Sequence, residues 1–286
     1  MKPTRLFALS AILLAQPAAP LGARESEAPD KLVAARVGKA APIGDPQAAF
    51  WKNLAARAID MQAQTVATPT DPNPAVTKIS VRAAHNGADL AFLIEWEDKD
   101  KEDRLVVDHF GDQVAVELPV RYDPKSPPSP MMGDPDNLVT IMQWRAAFQR
   151  DIDEGIPKVK DFYPNANIDL YPDQVLHATD AQSYTGAMAV DSPMPHAEAS
   201  PVLDQMAKGF GSLTVKPDQS ASGKGVWANG KWRVVISRPL RAVSEIDPDL
   251  SPGAETVVAF AVWDGAAKEV GSRKSWADWT PLVLAK

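Results

Sequence analysis

Cysteine is absent from the 286-residue sequence. That excludes disulfides, covalent haem attachment through Cys-x-x-Cys-His, thiolate metal sites and a lipidated N-terminal cysteine. A chain of this length buries a core large enough to fold without covalent staples. Histidine is scarce as well, at four residues. His85, His109, His177 and His196 never fall in the close pairs that a zinc site uses. No Gly-x-Ser-x-Gly elbow is present to carry a nucleophilic serine. Basic residues are not in excess: 30 Lys and Arg face 37 Asp and Glu, for a net charge of −7. With no basic block either, nucleic acid is a poor partner. Beyond the N-terminus no apolar run approaches the roughly 20 residues that a membrane-spanning helix needs.

The N-terminus itself carries a signal. Lys2 and Arg5 precede the apolar run LFALSAILLA, and PLGA (Pro20 to Ala23) supplies small residues suited to cleavage. That layout is a secretory signal peptide over 1–23, so the mature chain is expected in the periplasm. Residues 24–44 have little periodicity and read as a lead-in segment. The folded domain is expected over 45–286, with Trp51 as an early anchor.

Proline numbers 26 and sits in short clusters, which suits connections between strands better than a helical bundle. In VTKISVRAAHNGADLAFLIEWED, Asn86-Gly87 signals a hairpin, and Leu90, Phe92, Ile94 and Trp96 share one face of the second strand. DQVAVELPV alternates likewise, with Val114, Val116 and Leu118 on one side. GVWANGKWRVVISRPL is a second hairpin, turning at Asn229-Gly230, and ETVVAFAVWDG is a strongly apolar strand. No βαβ rhythm appears. The expected fold is all-β: an antiparallel immunoglobulin-like β-sandwich with long loops and a few short helices. A stretch rich in Pro, Asp, Asn and Ser, around 150–222, reads as a loop-rich insertion over that scaffold.

Candidate chemistry is sparse. The carboxylate pairs Asp98/Asp100 and Asp134/Asp136 lie in turn-rich sequence without a calcium-loop pattern, so they read as turn formers. The eight tryptophans admit a sugar-binding face, although Trp96, Trp227, Trp232 and Trp263 lie in strand patterns and equally fill a core. Met131 and Met132 are less ordinary. They sit in PSPMMGDPDNLVTIMQWRA, between a Pro-rich break and a Gly-Asp-Pro turn, where neither helix nor strand obviously buries them. Lys274 follows a polar loop in FAVWDGAAKEVGSRKSWADWTPLVL.

DQVAVELP, MMGDPDNLVTIMQWRA, GVWANGKWRVVISRPL and FAVWDG with KSWADW, in this order, resemble the haem b (gamma) subunit of the type II dimethyl sulfoxide reductase group. That group includes ethylbenzene dehydrogenase, dimethyl sulfide dehydrogenase, selenate reductase and chlorate reductase. The resemblance implies one non-covalent haem b held by a β-sandwich. Its iron would be ligated by Met132, with Met131 as the alternative methionine, and by Lys274, with His109 in reserve. Trp144, Trp263 and Trp276 would line the pocket. It also implies an electron-transfer subunit with no substrate chemistry of its own. Its partners would be a molybdenum-containing catalytic subunit, an iron-sulfur subunit and a soluble c-type cytochrome. The competing expectation is a haem-free periplasmic carbohydrate-binding β-sandwich, which needs neither Met132 nor Lys274.

Overall fold

Alternating apolar residues and turn-forming dipeptides break this chain into short strands. A computed structural model describes residues 31–105, 108–155, 164–165 and 200–286. The signal-peptide segment, His177, His196 and much of the expected insertion lie outside the described residues. The first half contains β1 (Leu32–Arg36), β2 (Arg57–Asp60), β3 (Gln62–Ala63), β4 (Lys78–His85), β5 (Asp89–Glu97), β6 (Gln113–Pro119) and β7 (Val139–Arg145). The helix α1 (Ala146–Glu154) follows β7 directly. Then come β8 (Val202–Ala207), β9 (Thr214–Val215), β10 (Ser222–Trp227), β11 (Lys231–Pro239), β12 (Glu255–Trp263), β13 (Ser275–Trp276) and β14 (Thr280–Leu284).

These strands make the expected β-sandwich. The hydrogen-bonded order is β10-β11-β5-β4-β1-β14-β12-β6-β7-β8-β9, so the two layers are joined along one edge through β1 and β14. Almost every pairing is antiparallel, but β1 runs parallel to both β14 and β4. The stretch read as a lead-in therefore supplies a central strand. Its LVAAR sequence hides the fact, because Leu32 and Ala34 are buried while a small alanine marks the core face only weakly. β8 likewise falls within the stretch read as loop. Its VLDQMA sequence is buried on both faces apart from Met206, which leaves no polar–apolar alternation to read.

Both hairpins form where the Asn-Gly dipeptides place them. Asn229 and Gly230 both take positive φ, 55° and 70°, as a two-residue turn between antiparallel strands requires. Leu90, Phe92, Ile94 and Trp96 face Val114, Val116 and Leu118 across the sandwich in one core cluster. Phe92 meets Phe260 edge-on at 6.1 Å, and Trp144 meets Trp232 at 4.9 Å. Gly225 of β10 is required here, since a Cβ at this position would come within 2.2 Å of the Trp144 ring.

The outer faces of the two layers differ. A 3-10 turn at Ala49–Asn53 drops the fully buried Trp51 onto Ala84, Ala91, Leu93 and Val235, covering the outside of the β4-β5-β11 layer. Trp51 is pinned there by a bond from its Nε1 to the Asp45 carbonyl, 2.9 Å long. The outside of the β12-β6-β7-β8 layer is covered, among the described residues, mostly by loops, and these help enclose a cavity.

Candidate functional site

Period two sets the cavity floor. On β6, Gln113, Ala115 and Glu117 point away from the sandwich core; on β7, Ile141, Gln143 and Arg145 do; on β12, Ala259, Ala261 and Trp263 do. The alanines leave room above the sheet. Gln205 of β8, Trp276 of β13 and the loop residues Phe210, Leu213 and Leu105 complete the wall around a cavity of about 550 Å³.

Two loops bring the expected ligand residues to this cavity: Met131, Met132 and Lys274 all line it. The methionine loop is tightly built. Asp134 Oδ1 accepts the backbone N–H groups of Asp136 and Asn137, each at 3.1 Å, so this aspartate forms a turn, as its sequence context suggested. The Gly133 N–H reaches the Ser129 carbonyl at 3.0 Å. Met132 and Gly133 both have positive φ, 69° and 72°, and a Cβ on Gly133 would lie 2.6 Å from the Asn137 carbonyl oxygen. A non-glycine residue held at positive φ is costly, and such strain concentrates where function fixes a side chain. The Met132 carbonyl accepts the Gly209 N–H at 2.7 Å, and Trp279 Nε1 donates to the Pro128 carbonyl at 2.7 Å. The loop is thus stapled to both the β8–β9 connection and the C-terminal strands. Met132 packs on Ala115, Val139, Ile141, Ala207 and Trp263.

The lysine loop is held from below. Trp263 Nε1 donates to the Gly271 carbonyl at 3.0 Å, Gln64 Nε2 to Ser272 at 3.0 Å, and Trp276 Nε1 to Ala63 at 3.1 Å. Lys274 Nζ then sits over the Trp263 ring, 5.1 Å from its centre. Burial drives the Lys274 pKa below the ordinary lysine range, and the nearby Glu117 carboxyl opposes that shift. Glu117 is a functional candidate that the sequence reading passed over. Burial pushes its pKa up to about 8, against the pull of Lys274 and of the Met132 backbone N–H. One of its carboxyl oxygens, Oε1, is buried without a hydrogen-bond partner. A thioether, an amine that burial drives toward its neutral form and a carboxyl inclined to stay protonated therefore share one apolar chamber.

Residues 48–275 match the ethylbenzene dehydrogenase family. This chain belongs to that family. The gamma subunit of chlorate reductase from Ideonella dechloratans is 26% identical over 226 residues, 78% of this chain and 72% of that protein. A Haloferax mediterranei protein named as a respiratory nitrate reductase haem subunit is 22% identical over 235 residues, 82% of this chain and 66% of that protein. These two names bear out the resemblance to the gamma haem subunit group. Among solved structures, a Bacteroides uniformis protein described as carbohydrate-binding superposes with a TM-score of 0.44 at 11% identity, covering 88% of this chain and 98% of that one.

Not every expected site residue of this ethylbenzene dehydrogenase family member reaches the cavity. Trp263 and Trp276 line it, but Trp144 does not. Trp144 alternates with Gln143 and Arg145 on β7, so its ring is fully buried in the opposite, inter-sheet core. His109 is exposed and is not among the lining residues. His85 is buried elsewhere, with Nε2 2.8 Å from the Ala285 carbonyl oxygen.

Proposed function

We propose that this chain is a periplasmic electron-transfer subunit that holds one non-covalent haem b between Met132 and Lys274. The observation that carries this reading is the pairing itself. Two side chains from loops distant in sequence line one apolar cavity, and the amine has no salt bridge among the described residues. A cavity of about 550 Å³ lies within the roughly 300–1,000 Å³ range typical of small-molecule and cofactor pockets. When bound, the haem supplies a one-electron couple at its iron.

The residues fit that role by their chemistry. Lysine ligates only as the neutral amine, and burial of Lys274 disfavours the ammonium. Met132 needs no deprotonation, and its soft thioether favours the reduced metal. Ala115, Ala259 and Ala261 keep the floor flat and low, and Trp263 and Trp276 supply aromatic walls. A haem held by both Met132 and Lys274 would offer no open iron position to a substrate. The chain then passes electrons and catalyses no reaction of its own.

The names of the two relatives, subunits of chlorate and nitrate reductases, support a place in a complex with a molybdenum catalytic subunit and an iron-sulfur subunit. A soluble c-type cytochrome is the proposed exchange partner. Export through the N-terminal segment fits this setting, and no described helix is long and apolar enough to cross a membrane. A sugar-binding role needs an exposed aromatic platform, and none of the eight tryptophans is exposed.

The test is a ligand replacement. The haem-loaded Lys274→Ala and Met132→Ala variants should each lose the low-spin six-coordinate absorption spectrum. Spectra identical to wild type in both variants would overturn the assignment.

A further inference from the structure

Arg145 closes β7 on the cavity face, at the end opposite the Glu117 level. Glu117 pairs with Ile141, and Arg145 lies four residues further along β7, about 13 Å at the usual strand rise of about 3.3 Å. Its guanidinium is largely sunk into the wall. Burial lowers its pKa, and no carboxylate offsets that cost. Among the described residues no Asp or Glu forms a salt bridge with it. One donor is used: Nη2 gives a 3.0 Å bond to Gln143 Oε1. The planar group lies 5.0 Å from the centre of the Phe148 ring, and Nε is buried without any acceptor.

The guanidinium is also aimed. Gln143 Nε2 donates to Gln113 Oε1 at 2.7 Å, and Gln113 Nε2 donates to the Gly111 carbonyl at 3.2 Å. This relay along the floor fixes Gln143 Oε1, and through it the orientation of Arg145. A buried cation with an idle donor is expensive unless an anion arrives to pair with it. The fork of a guanidinium matches a carboxylate, and the paired form gains charge-assisted hydrogen bonds.

We infer that Arg145 binds a propionate carboxylate of the haem and so sets which way the macrocycle enters the cavity. This rests on the haem reading above. The Gln113–Gln143 relay positions the arginine and does not itself touch the carboxylate. Arg145 thereby selects for a macrocycle bearing a free acid at that edge.

The experiment titrates the full chain with haem b and with its dimethyl ester, which lacks both carboxylates, and follows binding by absorption. Wild type should bind haem b more tightly than the ester. Arg145→Ala should lose roughly 10- to 100-fold in affinity for haem b, as expected for charge-assisted bonds. The same variant should bind the ester as wild type does, with an unchanged low-spin spectrum in both complexes. Arg145→Lys should recover part of the difference. Equal wild-type affinity for both macrocycles would overturn the inference. So would an Arg145→Ala loss equal for haem b and ester, because that pattern marks mere packing. Wild type that binds neither macrocycle would instead sink the haem reading beneath it.

Discussion

Asp98, Asp112 and Asp264 present carboxylate oxygens within 4.8 Å of one another at the edge of the fold nearest the Arg145 end of the cavity. Asp112 is fully buried and accepts N–H groups from Glu102 at 2.8 Å, Gly265 at 2.9 Å and Trp232 Nε1 at 2.9 Å. Burial, then the charge of Asp98, pushes Asp112 up to about 7. Burial, then Asp264, pushes Asp98 up to about 6. The folded chain therefore keeps protons that the unfolded chain releases near 3.8. The sign follows from linkage. Each group contributes stability that is complete below its unfolded pKa and is lost as pH rises through its folded pKa. For Asp98, moving from 3.8 to about 6 corresponds to about 3 kcal/mol at about 1.4 kcal/mol per unit. Asp98→Asn removes one charge; its amide oxygen still accepts the Asp100 N–H, now at 3.2 Å, and only the long 3.4 Å bond from Trp96 Nε1 is given up. In urea unfolding, the variant should be more stable than wild type by about 1–3 kcal/mol near pH 8, and within about 1 kcal/mol near pH 4. A variant less stable than wild type near pH 8, or a difference independent of pH, would refute the reasoning. Either result would mean that something other than protons holds the three carboxylates together.

Other substitutions test the supports of the site and the scaffold. Gly133→Ala puts a Cβ against the Asn137 carbonyl at positive φ, so it should cost about 1–3 kcal/mol and weaken the low-spin spectrum by displacing Met132. A thermal melt and an absorption spectrum check both halves of that statement. Lys216 is fully buried between Asp204, at 2.9 Å, and Asp247, and also reaches Thr140 Oγ1. Lys216→Met removes the one cation in a salt bridge with both buried carboxylates among the described residues and should destabilise by about 3–5 kcal/mol in denaturant unfolding, while the cavity chemistry stays unchanged.

The sandwich was legible where apolar and polar residues alternate and where Asn-Gly turns mark hairpins. It was illegible at β1 and β8. There alanine or two-sided burial erases the period, and partners far along the chain decide that the segment is a strand. Met132 and Lys274, singled out through the family resemblance, do line one cavity, but the floor between them was not legible. The sequence of β6 reads as a core face of Val114, Val116 and Leu118, and nothing in it marks that loops close over Glu117 on the other face. The misplacement of Trp144 has the same origin. In VTIMQWR the strict period of two sets Trp144 with Met142 against the core and leaves Gln143 and Arg145 facing the cavity. The Asp98 cluster was hidden for a different reason, since aspartates at the ends of β5 and β12 and at the start of β6 meet only once the two layers face each other.

We propose that the cavity between the methionine and lysine loops holds a haem b, with Met132 and Lys274 as the residues that would ligate its iron. The most direct measurement is the dithionite-reduced minus oxidised absorption spectrum of the full chain produced with haem available. The account predicts one equivalent of non-covalent haem with a sharp low-spin α-band that carbon monoxide does not readily alter. A haem-free protein, or a high-spin haem that binds carbon monoxide at once, would contradict it.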